Sequence, residues 1–302
     1  MRHRAGGLHG TTRGLRSDTI SRLDELERQR PEWRSWLRLL AEVGAALDED
    51  TPRSHFDAVE PGPSAGAPLL HGRELLVDAA RLQRLVHRLA ALASLGEYRP
   101  SRAEAIALLQ AAVQQDRAGI DALALAAGVD PAALGSLAEL AAIPSLHACR
   151  RVFEASAPAH WPHGYCPICA GGPVLVEHRG LDRSRWARCG RCGGAWEVEW
   201  LRCIYCGERG HERLGSLVPE DGGDVLNIET CASCRGYVKS MATLLPIPPF
   251  ELLLRDLETV ELDLVALDRG YHRPAERPLP LETRVVARGS GAAAGAAFDI
   301  PT

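Results

Sequence analysis

The chain has 302 residues, 46% of them hydrophobic, with 35 basic side chains against 39 acidic ones and a formal net charge of −4. That length accommodates two ordinary domains, and the near balance of charge argues against a protein whose main work is coating nucleic acid. No run approaches the ~18 apolar residues of a membrane span, and the basic start MRHRAGGLHGTTRGLRS lacks the apolar centre of a secretory signal. The expected compartment is the cytoplasm, with no membrane partner. There, nine cysteines read as metal ligands or redox groups before they read as disulfides.

In chain order, residues 1–17 read as a disordered N-terminus and residues 18–160 as a helical domain. DTISRLDELERQR leads into Pro31, after which Trp33, Trp36, Leu37, Leu40, Val43 and Leu47 recur at helical spacing. EPGPSAGAP interrupts the pattern at residues 60–68. RELLVDAARLQRLVHRLAALASL then places Leu75, Ala79, Leu82, Leu85, Val86 and Leu89 on one helical face. Ser101 with Glu104 is a capping-box pair, Asp130 with Pro131 marks another start, and a last helical segment runs from about Ser145 to Ala155. Five to seven helices of this kind make a bundle. Cys149 falls within a helical pattern and reads as a buried thiol.

From HWPHGYCPIC the character changes to short alternating segments and glycine turns. Residues 161–200 read as a first metal module and 201–245 as a second. Residues 246–273 read as one amphipathic helix with Leu253, Leu257, Val260, Leu264 and Leu267 on one side. The Gly/Ala-rich 274–302 reads as a disordered tail. The fold class is a multi-domain α+β chain: an N-terminal α-helical bundle, two tandem metal modules and a C-terminal helix.

Eight cysteines form four CxxC pairs: Cys166/Cys169, Cys189/Cys192, Cys203/Cys206 and Cys231/Cys234. A CxxC turn brings two thiolates within reach of one ion, and two facing turns complete a tetrahedral four-sulfur site. Trp196, Val198 and Trp200 alternate with Glu197 and Glu199, the period of a strand. Straight, that strand holds the second and third pairs more than ~25 Å apart. VLVEH-RGLDRS-RWAR and RLGSLV-PEDGGD-VLNIE instead read as hairpins whose ends each carry a CxxC. This internal repeat assigns site 1 to Cys166, Cys169, Cys189 and Cys192, and site 2 to Cys203, Cys206, Cys231 and Cys234. The rival cross-brace pairs first with third and second with fourth, closing longer loops. Four thiolates suit zinc or a single iron, and all-sulfur shells leave no place for an activated water.

Nearby His160, His163, His178 and His211 read as surface or supporting groups. Trp186, Trp196 and Trp200 read as covers for small metal-centred cores. Arg179, Arg183, Arg185, Arg188, Arg191 and Arg202 make the first module locally basic, either a solvated face or a dock for an acidic partner or nucleic acid. No dinucleotide fingerprint, P-loop, GxSxG or HExxH motif occurs, so no catalytic residue is assigned and the chain is not read as an enzyme.

The order CPIC, CGRC, CIYCG, ETCASCRGYVKSM and then DLETVELDLVALDRGYHRP resembles the formate dehydrogenase accessory protein FdhE family. Glu229, Thr230, Cys231, Cys234, Tyr237 and Lys239 carry its most specific part, and the resemblance covers roughly residues 30 to 275. It implies two rubredoxin-like modules after the helical domain, all eight paired cysteines as ligands, and iron rather than zinc. It also implies a cytoplasmic, non-catalytic maturation factor. Such a factor binds the molybdenum or tungsten catalytic subunit of a respiratory formate dehydrogenase and aids its assembly before export. A zinc-ribbon nucleic-acid binder and a rubredoxin-like electron carrier are the competing readings, and homodimer formation is left open. Tyr237 and Lys239 either belong to the docking surface or pack and cap the helix that follows.

Overall fold

A computed structural model describes residues 12–49, 66–95, 98–158, 161–219, 225–274 and 281–288. The first helix, α1 (Thr12–Gln29), starts inside the segment expected to be disordered. Residues 1–11, most of the 60–68 breaker and His160 lie outside the described residues. A 3₁₀ turn at Pro31–Trp33 leads into α2 (Arg34–Glu49).

The next segment departs from the helical reading. Glu74–Val77 is a strand, β1, and Asp78 begins α3 (Ala79–Leu92) by accepting the Arg81 N–H. The cause lies about 210 residues away. Arg284–Ala287, within the expected disordered tail, forms β8 and pairs in parallel with β1. Leu281 and Val285 are buried in the main core, and Thr283 Oγ1 donates to the Leu70 carbonyl at 2.6 Å.

Helices α4 (Arg102–Gln114), α5 (Arg117–Ala127) and α6 (Pro131–Phe153) complete the bundle. The Ser101–Glu104 capping box is formed in both directions. α6 runs unbroken through Pro144, so no separate helix begins at Ser145. Its residues Ala141 to Cys149 are all buried, and packing on every side outweighs the lost hydrogen bond. The segment Pro131–Ser156 is long and apolar enough to cross a membrane, but 78% of its apolar window is buried inside the molecule, as in a core helix.

The cysteine half builds β2 (Pro173–Arg179), β3 (Ser184–Cys189), β4 (Ala195–Glu197), β5 (Leu214–Leu217), β6 (Leu226–Cys231) and β7 (Tyr237–Thr243). They form one six-stranded sheet in the order β4-β3-β2-β7-β6-β5. Each module contributes a hairpin and then a third strand, so the order is third-second-first twice over. The modules join where β2 and β7 pair in parallel, Leu175 opposite Lys239 through Arg179 opposite Thr243.

Two expectations change here. The alternating AWEVEW segment is a strand for only three residues, because the chain turns at Trp200 and Leu201. It does not bridge the modules; the β2–β7 ladder does. Nor is the first module a separate body, since its four cysteines and Trp196 share one apolar core with Val43, Leu89, Leu134 and Leu146 of the helices.

The C-terminal helix is two helices, α7 (Glu251–Glu258) and α8 (Val260–Asp268), broken at Thr259, whose Oγ1 donates to the Arg255 carbonyl at 2.7 Å. Of the expected leucine face, Leu253 and Leu257 pack against the core, whereas Leu264 and Leu267 are exposed and Ala266 is buried in their place. The break turns Asp263 inward to meet Lys239.

Candidate metal centres

Each centre is made by two CxxC turns at the ends of a hairpin, and the turns share one backbone pattern. The first cysteine's N–H donates to a carbonyl just beyond the second: Gly171 for Cys166 (2.8 Å), Gly194 for Cys189 (2.9 Å), Glu208 for Cys203 (2.8 Å) and Gly236 for Cys231 (3.0 Å). The residue after the second cysteine is left-handed in all four: Ala170 (φ 57), Gly193 (φ 70), Gly207 (φ 77) and Arg235 (φ 56). Glycine takes that conformation freely, whereas Ala170 and Arg235 hold it at a cost of roughly 1–2 kcal/mol each. One turn geometry repeated four times, twice at a strained non-glycine residue, indicates that the geometry matters.

The structure brings Cys166, Cys169, Cys189 and Cys192 together, and separately Cys203, Cys206, Cys231 and Cys234, with the sulfurs of each group within 4.8 Å of one another. The closest contacts are 3.5 Å for Cys166–Cys192 and Cys169–Cys189, and 3.7 Å for Cys203–Cys234 and Cys206–Cys231. Four sulfurs held ~2.3 Å from a central ion lie about 3.8 Å apart, so the donor sets fit one tetrahedral ion each. Backbone N–H groups of Ile168, Arg191, Gly194 and Gly236 point at sulfurs at 3.4 Å and favour thiolate charge.

Burial and mutual contact set the thiols of each group against ionising together. Burial, then contact with Cys169 and Cys189, pushes Cys166 well up; hydrogen bonds from the Cys192 thiol to its three neighbours do the same to Cys192. Burial also opposes ionisation of Cys189, but hydrogen bonds from Cys166, Cys169 and Cys192 hold it well below the usual thiol range. In the second group, burial raises Cys203 well above the usual range and Cys234 to about 11, while the N–H groups of Cys234 and Ser233 overcome burial to lower Cys231. Four thiols this close ionise together only around a positive ion.

The two centres differ in exposure. All four cysteines of the first are fully buried in the main core; in the second, Cys206 is exposed and Cys234 half-buried. Trp196 is buried beside the first centre. Trp186 lies under the Arg179 guanidinium instead, and Trp200 is 53% exposed, stacked on His178. His163 stacks on Tyr165, and His211 is solvated.

The basic face is mostly spent inside the molecule. Arg188 and Arg179 pair with the buried Glu177, which also accepts the Ile247 N–H at 3.1 Å. Arg185 and His178 hold Glu229 at 2.5 and 3.0 Å, tying the first module's strands to β6; burial would raise that carboxyl, but His178 and Arg185 bring it down. Arg191 donates to the Ala112 carbonyl. Arg183 is left exposed.

Tyr237 and Lys239 are buried, so they pack the following helices and do not face outward. Lys239 Nζ meets Asp256 Oδ1 at 2.5 Å, Asp263 Oδ2 at 2.8 Å and the Asp256 carbonyl at 2.9 Å. The Tyr237 hydroxyl donates to Asp263 at 2.8 Å, and Arg273 closes the network on both aspartates. The sequence carries a signal for this position: Lys239 is the sole lysine among 35 basic residues. Glu177, a carboxylate in the middle of an apolar strand, is the other buried charge that pattern reading passed over.

No protein-family model matches the chain. Relatives called Protein FdhE homolog align with part of it: that of Stutzerimonas stutzeri is 35% identical over 113 residues, 36% of either chain. That of Pseudomonas aeruginosa is 30% identical over 116 residues, 36% of this chain and 37% of the relative. The aligned part is thus little more than a third of either relative's length. The crystal structure of the FdhE protein from Pseudomonas aeruginosa matches in fold, with a TM-score of 0.54 over 92% of this chain and 98% of that one, at 24% identity. The chain therefore has the fold of FdhE and resembles the FdhE family in sequence over about a third of its length.

Proposed function

We propose that this chain is a cytoplasmic accessory factor, not an enzyme, that binds the catalytic subunit of a formate dehydrogenase and aids its assembly before export. The observation that carries this reading is the FdhE fold built around two closed sets of four thiolates. With four sulfurs on each ion, neither centre keeps a position for substrate or water. The eight paired cysteines are the ligands, one ion per set. Iron is the ion the family resemblance implies, and the sulfur geometry accommodates it as it does zinc.

The experiment is an anaerobic pull-down of the tagged full chain from cells expressing a molybdenum- or tungsten-dependent formate dehydrogenase, with metal analysis of the eluate. Co-purification of the catalytic subunit supports the reading; recovery of nucleic acid alone sinks it. Burial of Arg185 and Arg188 in ion pairs weighs against a nucleic-acid role, because those guanidinium groups are not free for phosphates. The exposed edge of the second centre favours one rival, a rubredoxin-like carrier. Reversible ferric-thiolate bands that a partner reductase bleaches at a catalytic rate would establish that rival.

A further inference from the structure

Both modules present the same sheet face, yet they use it differently. In the first, Trp196, Ala187 and Val176 lie directly opposite one another across β4, β3 and β2, and all three are buried in the core shared with the helices. Counted from the paired cysteines, the equivalents of Trp196 and Ala187 in the second module are Val238 and Glu229, and Ser216 lies opposite Glu229 on the next strand. The ladder continues across the junction, Val176 opposite Ser240 and Ser240 opposite Asn227, so these residues share one face. Here the face opens as a cleft of about 570 Å³, walled by Trp200, Leu201 and Tyr205.

The cleft has an apolar rim. Leu181, at the β2–β3 turn, is 96% exposed, and the Gly180 N–H to Thr243 carbonyl bond of 2.8 Å sets it beside Leu244, 78% exposed. Val218 and Val225, both exposed, flank the β5–β6 connection, and Trp200 and Leu201 stand over the cleft. Of these six side chains Trp200 and Leu201 line the cleft itself, and the other four stand exposed at neighbouring strand ends. A cleft walled by an exposed tryptophan, leucine and arginine has the composition of a docking surface.

The polar groups define what docks. The His178 ring, which lines the cleft, meets Glu229 through Nε2 at 3.0 Å. Asn227 lines the same cleft. Arg183 also lines the cleft and has no carboxylate partner among the described residues, while the one carboxylate there, Glu229, is taken by Arg185 and His178.

We propose that this cleft is where the partner polypeptide docks. The docked segment lays an apolar side chain on Trp200 and Leu201 and sets a carboxylate against Arg183. The proposal rests on the assembly-factor reading and gives it a surface.

The test measures binding of purified, cofactor-free formate dehydrogenase catalytic subunit to the full metal-loaded chain by biolayer interferometry, with light scattering on the free chain. Trp200→Ser with Leu201→Ser removes the rim, Ser216→Trp fills the cleft, and Arg183→Glu reverses the charge. All four positions are exposed, so metal content and circular dichroism should match the parent. At least a tenfold loss of affinity in each variant is expected. Parent-like affinity in all of them overturns the surface and leaves the assembly reading standing. A parent chain that does not bind the subunit overturns both. A parent dimer dispersed by the variants gives the surface to a second copy and overturns the proposal.

Discussion

Replacing Lys239 by methionine removes a charge from a site with no solvent access. The ammonium group is fully buried and touches both Asp256 and Asp263. Without it, two carboxylates face the single guanidinium of Arg273. Breaking a buried pair costs about 3–5 kcal/mol. Asp256 keeps 34% of its side chain in solvent and Asp263 17%, so part of their hydration returns and the expected loss is the lower end, about 3 kcal/mol. Urea unfolding of the metal-loaded chain at pH 7, followed by circular dichroism, measures it. Adding Asp263→Asn removes the stranded charge and should recover about 1 kcal/mol or more, as neighbours in one network are not additive. The sign with pH follows from Asp263: burial would raise its pKa, but Arg273 and Lys239 hold it below 3.8. Its stabilisation is complete above the unfolded value and fades as pH falls below it, so the two chains should converge in acid. A loss under 1 kcal/mol at pH 7, or no recovery in the double variant, refutes the reasoning.

Three further outcomes follow from the same geometry. Burial, with Arg150 next, lowers His147 from 6.5 to about 3; the unfolded chain takes up that proton first, so stability falls by about 2 kcal/mol between pH 7 and 5. His147→Leu should flatten that slope in parallel denaturation curves, and an unchanged slope excludes His147 as its source. A Cβ on Gly193 would sit 2.5 Å from Pro249 Cβ in a left-handed turn, so Gly193→Ala should cost about 3 kcal/mol by thermal unfolding. Gly172→Ala, with open space around it, is the neutral control, and equal melting of the two removes the packing argument. A chelator with a colorimetric metal indicator should draw one ion per chain quickly, from the centre edged by exposed Cys206, and the other only on unfolding; release in one phase contradicts this ordering.

What the sequence disclosed was local. The CxxC turns, the two hairpins and the capping box each depend on residues a few positions apart, and their chemistry is written there. What it hid depended on distant partners. ELLV reads as the start of α3 until β8 arrives from 210 residues downstream. Ala141 to Cys149 continue through Pro144 because packing surrounds them. The arginines of the first module look like a basic face, since Glu177 and Glu229 reach them only once the sheet has formed. The Lys239 site is similar: its two aspartates come from two later helices, the second of which buries a side its apolar pattern did not suggest.

Counting the metal decides the central claim that two independent four-cysteine centres organise this half of the chain. Inductively coupled plasma analysis of anaerobically purified protein should give two ions per chain for the parent. It should give one for Cys203→Ser and for Cys231→Ser, with the buried first centre still loaded. Loss of both ions from either change, or one ion in the parent, contradicts it.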